Sequence, residues 1–445
     1  MAESTEPAAP VKPVARHKLL PLDEVLAQLL AVAADRVIFE RERVDTFDAL
    51  GRILARPVVS ALDVPPADNT SMDGYAVRAA DVTAEGVALP VSQRIPAGVV
   101  GQPLQPGTAA RIFTGGQVPA GADAVVMQEL CEALPSPAGE GEFGAVRIDQ
   151  VPQPGQWVRR RGEDVVLGAE VLAVGQRLTP QALGLAASVG ASRLDVRRRP
   201  RVALFSTGDE LVMPGEALKP GAIYNSNRFM LRGLLQAAGC VVQDLGIVAD
   251  TLEATRTALR EAAQDNDLIL SSGGVSVGEE DHIKPAVQAE GWLQAWQVAM
   301  KPGKPLVLGA VRRPGLATGA PTNDGAPLSA TEALFMGLPG NPVSSFVTFL
   351  LAVAPLLRAL QGCPASLPRA VQVRADFDWP RPDKRREFLR VRFNDQGGLA
   401  LFANQSSGVL TSAVWAEGLA DIAPGQAVKA GDMVQVLLLA SLIGT

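Results

Sequence analysis

SSGGVSVGEEDHIKP, residues 271–285, follows the apolar run NDLIL and moves through three glycines to Glu279, Glu280 and Asp281, then Lys284. Glycine lets backbone N–H groups approach a ligand closely. Bare N–H groups attract anions and carboxylates repel them. Both suit one ligand when a cation sits between them, which points to a phosphate-bearing molecule with a divalent metal. Three further loops have related chemistry: STGDEL (206–211) after RVALF, KPGKP (301–305) after WQVAM, and LPGNPVSS (338–345) after ALFMG. In an open parallel sheet, ligands sit beyond the carboxyl ends of the strands. Asp209, Glu210, Asp281, Lys301, Lys304, Asn341 and Ser344 are therefore expected to converge on one crevice. Each loop alone is a weak signal: GGVSVG is neither GxGxxG nor a Walker A loop, and GKP lacks the Ser or Thr after its lysine. Their joint placement carries the weight.

From Arg201 onward, strand-type and helix-type runs alternate, which predicts a mainly parallel sheet with helices on both faces. Met230, Leu231, Leu234, Leu235 and Ala238 share one helical face. Asp250 with Glu253 fits a capping box. FVTFLLAVAPLL (346–357) is too short to span a bilayer and reads as a buried helix. Upstream, LDEVLAQLLAVAA reads as a helix capped by Asp23 and TFDALGRILA as one capped by Thr46, whereas Thr179-Pro180 opens a helix that Gly190 stops. Short runs broken by Pro and Gly predict a small β domain inserted at 58–149, flanked by a discontinuous linker domain at 18–57 and 150–198. The α/β domain covers 199–362 and a compact β module 363–445, with residues 312–333 an exposed loop or hairpin. MAESTEPAAPVKPVAR has no apolar core and reads as a disordered tail over 1–17 rather than a signal peptide.

The chain has 445 residues, 47% hydrophobic and 20% charged, with net charge −6, which disfavours a general nucleic-acid binder. Cys131, Cys240 and Cys363 are far apart and read as reduced thiols of a cytoplasmic protein. The histidines are His17 and His282, and no partner motif surrounds His282, so neither a zinc site nor a Ser-His-Asp triad is expected. His282 reads as a packing residue. Arg159–Arg161 and Arg197–Arg199 read as solvated or inter-domain charges.

SMDGYA (71–76), FTGGQVPAGADAVV (113–126), RRRGED (159–164), STGDEL, IYNSN, SSGGVSVGEEDHIK, KPGKP and GLPGNPVSS together resemble the molybdopterin molybdenumtransferase family, in family order from about residue 18 to 440. The resemblance implies a transferase that inserts molybdenum from molybdate into adenylylated molybdopterin, with AMP released, molybdenum cofactor formed and Mg²⁺ as the metal. It implies a homodimer of four-domain subunits: an elongated linker domain, an inserted β domain, a central α/β molybdopterin-binding domain and a C-terminal β-barrel. The site would be shared between subunits, with contacts to other cofactor-biosynthesis proteins and none to nucleic acid or membrane. The family's acidic positions fall on Asp73, Glu210, Asp250 and Asp281, and a site threonine on Thr114. Loop contacts to substrate would come from Ser206, Thr207, Gly208, Asp209, Ser272, Gly273, Gly274, Ser276 and Asn341. Lys301, Lys304, Ser344, Arg390 and Ser407 match the molybdate end, and Glu210 with Asp281 would hold Mg²⁺. The alternatives are molybdopterin adenylylation by ATP and a non-catalytic molybdopterin-binding scaffold. The latter is disfavoured because scaffolds of this kind carry a fused domain ahead of the module. His282 stands where the family often has an aromatic residue.

Overall fold

Apolar strand runs need cover on both faces, and the chain supplies it around a seven-stranded sheet. The computed structural model describes residues 19–136, 143–275, 282–314, 331–364 and 369–443, which form two compact units. The first holds the residues through Glu42 and those from Arg197 onward. Its strands are β1 (Leu19–Leu20), β2 (Arg201–Thr207), β3 (Val241–Val248), β4 (Leu268–Ser272), β5 (Gly291–Val298), β6 (Pro305–Arg312) and β7 (Glu332–Leu338). They lie in the order β1-β5-β6-β7-β4-β2-β3. On one face, Val202, Leu204, Leu268 and Leu270 pack with helices α1 (Leu22–Ala34), α2 (Ser226–Ala237) and α5 (Pro342–Leu360). On the other, Ala203, Phe205 and Ile269 pack with α3 (Leu252–Asp265) and α4 (Ile283–Glu290). Alternate residues of one strand thus feed opposite cores. α5 is long and apolar enough to cross a membrane, yet 89% of that stretch is buried inside the unit, as a core helix is.

The sheet is mainly parallel, as expected, with one strand reversed. β3, β2, β4 and β7 are mutually parallel, but β6 is antiparallel to both β5 and β7. The chain reverses at KPGKP, where Gly303 adopts φ +109°, and no helix intervenes between β5 and β6, so that connection is of hairpin type. Because β5 is antiparallel to an antiparallel strand, it runs with β7. Its carboxyl end therefore still joins the ends of β2, β4 and β7. Arg312 pairs with Glu332 at the opposite edge, so the strand ends flanking 313–331 point away from that crevice.

Three local expectations change. Asp23 lies in the first turn of α1, where it complements the helix dipole, and the preceding residue is Pro21. The proposed helix after Thr46 is a single 3₁₀ turn, Thr46–Asp48, because Gly51 takes φ +72°, which no α-helix accommodates. β1 pairs with β5, and α1 enters the core of the central sheet, so residues 19–42 pack there rather than with a linker domain at 18–57.

The second unit, 43–196, has hydrophobic cores of its own. Helix Pro180–Ser188, capped by Thr179, packs on Leu54, Leu172, Leu194 and Val196. A six-stranded sheet orders Ala124–Met127, Gly74–Val77, Ala109–Ile112, Val87–Ile95, Ala145–Ile148 and Cys131–Leu134.

In the first unit, the chain ends in β8 (Val371–Arg374), β9 (Arg386–Phe393), β10 (Leu399–Leu401), β11 (Gly418–Ile422) and β12 (Met433–Leu438). Antiparallel pairing runs β8-β12-β11-β9-β10, and an isolated bridge joins Ala375 to Leu399. Met300–Lys301 pairs with Arg386 and Glu387, which fastens this module to the KPGKP loop.

Candidate active site

A crevice of about 930 Å³ opens where the strand ends of the first unit meet the 405–408 loop. β2 delivers Thr207, Gly208 and Glu210. Gly208 has φ +145°, and a Cβ built there would stand 2.5 Å from Glu210 Oε2, so only glycine lets that carboxylate fold back over the loop. Thr207 Oγ1 donates to Asp250 Oδ1 at 2.9 Å, tying the ends of β2 and β3. Asp250 is not the cap of α3. Thr251 is, accepting from the Ala254 N–H at 3.3 Å, because the helix begins at Leu252. Asp250 is thereby left to line the crevice.

β4 ends in Ser272, Gly273 and Gly274. Gly273 and Gly274 have φ +93° and +63°, and the Gly273 N–H donates to Leu338 O at 3.1 Å. Asn227 binds the two neighbouring loops together: its Nδ2 donates to Ser272 Oγ at 2.8 Å and to Gly340 O at 2.7 Å. Asn225 caps α2 by accepting from the Arg228 N–H. Both asparagines line the crevice, and their Nδ2 (Asn225) and Oδ1 (Asn227) atoms are buried without a partner among the described residues. Sequence reasoning assigned them no role, although IYNSN contains both. After β7, Asn341 Nδ2 donates to Ser407 Oγ at 3.0 Å, and the Val343 N–H donates to Ser407 O at 3.0 Å. Ser344 and Ser407 line the crevice as expected.

The cationic end is built from two modules of the same unit. Lys301 Nζ lies 2.9 Å from Glu387 Oε1 and 3.6 Å from Asp383 Oδ2. Lys304 is exposed and lines the crevice. Arg385, unassigned from sequence, also lines it and forks onto Asp383. Hydrogen bonds from Arg385 hold the Asp383 carboxyl far below the usual carboxylate range, with the charges of Arg385 and Lys301 adding to them. Arg390 is placed differently from the expected molybdate contact. It is 1% exposed, and its guanidinium bonds Ser412 Oγ, Phe388 O and Ser406 O behind the 405–408 loop. Burial lowers its pKa to about 10.

Ser206 is buried beneath the crevice floor, and Asp209 is exposed outside the lining. Ser276 and Asp281 lie outside the described residues. His282 precedes α4 and makes no side-chain capping bond. Asp73 and Thr114 belong to the second unit and form a pair: Thr114 N and Oγ1 donate to Asp73 Oδ1 at 2.8 and 2.9 Å. These bonds, first the backbone N–H and then the hydroxyl, lower the Asp73 pKa, and the charge of Arg111 assists. Arg160 and Arg161 pair with Asp68 and Asp63, and Arg198 with Asp267. The three cysteines are free thiols.

Carboxylates at one edge, glycine and asparagine loops in the middle and paired lysines at the other edge define an α/β protein built to bind an extended anionic ligand at its strand ends. Residues 20–190 match the MoeA N-terminal region (domain I and II), 203–359 a probable molybdopterin binding domain, and 372–439 the MoeA C-terminal region (domain IV). A molybdopterin molybdenumtransferase of Haemophilus influenzae is 38% identical over 347 residues, 77% of this chain and 78% of that protein. One from a Nostoc species is 37% identical over 414 residues, covering 90% and 89%. The crystal structure of the molybdopterin biosynthesis moeA protein from Pyrococcus horikoshii OT3 superposes with a TM-score of 0.75 at 28% identity, covering 95% of this chain and 100% of that one. The chain belongs to the molybdopterin molybdenumtransferase family, a family of transferases.

Proposed function

We propose that the crevice accepts adenylylated molybdopterin and molybdate, joins molybdenum to the dithiolene and releases AMP. The observation that carries this reading is the separation of charge along the sheet. Thr207, Glu210 and Asp250 stand at the ends of β2 and β3, while Lys301 and Lys304 stand beside β6. β7 and β4 lie between β6 and β2, so the ends are three strand spacings apart, roughly 14 Å. A nucleotide-linked pterin spans that distance with its phosphoanhydride near the carboxylates and its sulfurs near the lysines. Molybdate, a dianion, suits ammonium groups and the hydroxyls of Ser344 and Ser407. Nothing in this division calls for a side-chain nucleophile; positioning and fixed charge suffice.

The crevice donors on the carboxylate side are all oxygens, and among the described residues no three His, Cys, Asp or Glu side chains cluster tightly enough to enclose a metal. That fits Mg²⁺, which keeps several waters and needs only one or two carboxylates. Glu210 would hold it with Asp281, and Asp250 stands nearby at the end of β3. When bound, the ion would neutralise phosphoanhydride charge. In the same proposal the Asp73–Thr114 pair completes the site from the second subunit of a homodimer, β8–β12 close as a β-barrel, and the enzyme works in the cytoplasm.

The test is incubation of the purified chain with adenylylated molybdopterin, Mg²⁺ and molybdate, with AMP and active cofactor as readouts. Both should appear together, and Lys304→Ala should raise the molybdate concentration needed. ATP consumption with no AMP drawn from the adenylate would instead favour adenylylation.

A further inference from the structure

We propose that Arg94 and Arg111, both held against the Phe113 ring in the second unit, form a binding site for a phosphate group; that the phosphate is the adenylate's rests on the proposed part of Asp73 and Thr114 in the reaction. Arg111 pairs in register with Tyr75 on one neighbouring strand and with Arg94 on the other. Like charges directly opposite across strands are destabilising. Here one ring holds both: the guanidinium carbons of Arg94 and Arg111 lie 4.7 and 4.6 Å from the Phe113 centroid, and that of Arg111 lies 5.1 Å from the Tyr75 centroid. Arg111 is fixed further by Nη1, which donates to Gly74 O at 2.9 Å, and by Nη2, which donates to Gln128 Oε1 at 2.6 Å. Among the described residues neither arginine has a carboxylate within ion-pair distance, and the guanidinium of the exposed Arg94 makes no hydrogen bond. Arg56, Arg78, Arg147, Arg160 and Arg161 of the same unit each have a carboxylate at 3.7 Å or closer. A guanidinium over a ring spends its flat face and keeps its N–H edge free.

The two arginines adjoin the Asp73–Thr114 pair. Phe113 precedes Thr114, and Arg111 donates to Gly74, which follows Asp73. A Cβ built on Gly116 would stand 2.9 Å from Ile95 O, so the backbone just past Arg94 lies against the Thr114 loop. Asp73 is bonded to Thr114 and offsets at most one of the two positive charges. A net positive charge is thus left beside a carboxylate. That suits a phosphate, whose oxygens take charge-assisted bonds from planar N–H edges, and it does so without requiring Asp73 to be neutral.

Calorimetric titration of AMP, adenosine and molybdate into the full chain tests this. Arg94→Gln should weaken AMP binding about ten-fold, the loss expected for one charge-assisted contact, and Arg94→Glu should weaken it further. Adenosine and molybdate affinities should not change. Because Arg94 is exposed, both variants should keep the melting temperature of the unaltered chain. Arg94→Lys, which keeps the charge but not the planar edge, should recover part of the loss. Unchanged AMP affinity in Arg94→Gln and Arg94→Glu, or no AMP binding by the unaltered chain, overturns the site. An equal loss for adenosine, or a loss for molybdate in place of AMP, overturns its assignment to phosphate. Full turnover by Asp73→Asn, with the AMP loss in Arg94→Gln still present, overturns instead the part of Asp73 in the reaction and leaves the phosphate site standing.

Discussion

Asn227 offers the sharpest test of how the crevice is assembled. Its side chain is 8% exposed, and its amide donates to a hydroxyl, Ser272 Oγ, and a carbonyl, Gly340 O. Asn227→Asp is isosteric but replaces the donor with an oxygen. Ser272 can rotate its hydroxyl to donate back, so that bond survives. Gly340 O has no proton to give and faces a second acceptor. One lost bond costs about 1 kcal/mol, and a buried group left unpaired adds about 1–3 kcal/mol. The substitution should therefore cost about 2–4 kcal/mol at neutral pH. Asn227→Ala, which loses both bonds but buries no charge, should cost about 2 kcal/mol. The sign with pH follows. Burial raises the folded-state pKa of the introduced carboxyl above its unfolded value of roughly 4. The penalty is then small at acid pH and grows as pH rises through the folded pKa. Urea unfolding followed by tryptophan fluorescence at pH 5 and pH 8, with substrate KM measured alongside, gives both quantities. Loss of less than 0.5 kcal/mol (about the effect of an ordinary surface change) in both variants at pH 8 would falsify the idea that this amide couples the β4 and β7 loops.

Two further outcomes follow from the site. Thr251→Ala removes the cap of α3 and should cost about 1 kcal/mol of stability with turnover nearly kept, whereas Asp250→Asn should do the reverse, keeping stability and losing AMP release; comparable stability losses in the two variants would restore Asp250 as a cap. Cys240 is buried, which pushes its thiol up to about 12 from an unfolded value near 9. A folded pKa raised in this way gives stability that is present below pH 9 and lost as pH climbs toward 12, so Cys240→Ser should flatten the alkaline limb of the stability curve, and Cys240 should label with maleimide at pH 8 more slowly than Cys131 or Cys363.

The residues that carried the fold were those whose local chemistry and tertiary role agree. RVALF, NDLIL and ALFMG are buried on both faces and read as strands because no polar residue interrupts them. Thr179-Pro180 and Gly190 mark the bounds of one helix because cap and stop chemistry are local. The direction of β6 was not legible, since a strand's hydrophobic pattern is the same in either direction and the short helix-free link at 299–304 decides it. Asp250 and Thr251 were confused because both types cap helices, and one residue of shift decides which of them faces the ligand. Arg390 was expected at the crevice for another reason. In REFLRVRF, residues Glu387 to Val391 are all buried, so period-two alternation does not separate lining from core. What places Arg390 in the core is the set of partners its guanidinium meets, Ser406 and Ser412 among them, and those partners come from distant turns.

The dependence on distant partners says what the C-terminal module is for. Met300–Lys301 is paired to β9, and Lys301 reaches Glu387 on that same strand, so the position of the lysine is set by the module and not by the central sheet alone. Ser407 meets Asn341 and Val343 at the start of α5, closing the crevice between β7 and the 405–408 loop. Arg390 bonds Ser406 from behind and so stiffens that loop, a positioning role for a residue whose charge is fully occupied. The central sheet therefore supplies the backbone loops and carboxylates, and the C-terminal strands fix the cations. In the proposed function, a fixed spacing between the two sets of charges would keep each anionic substrate from drifting toward the other's counter-ions.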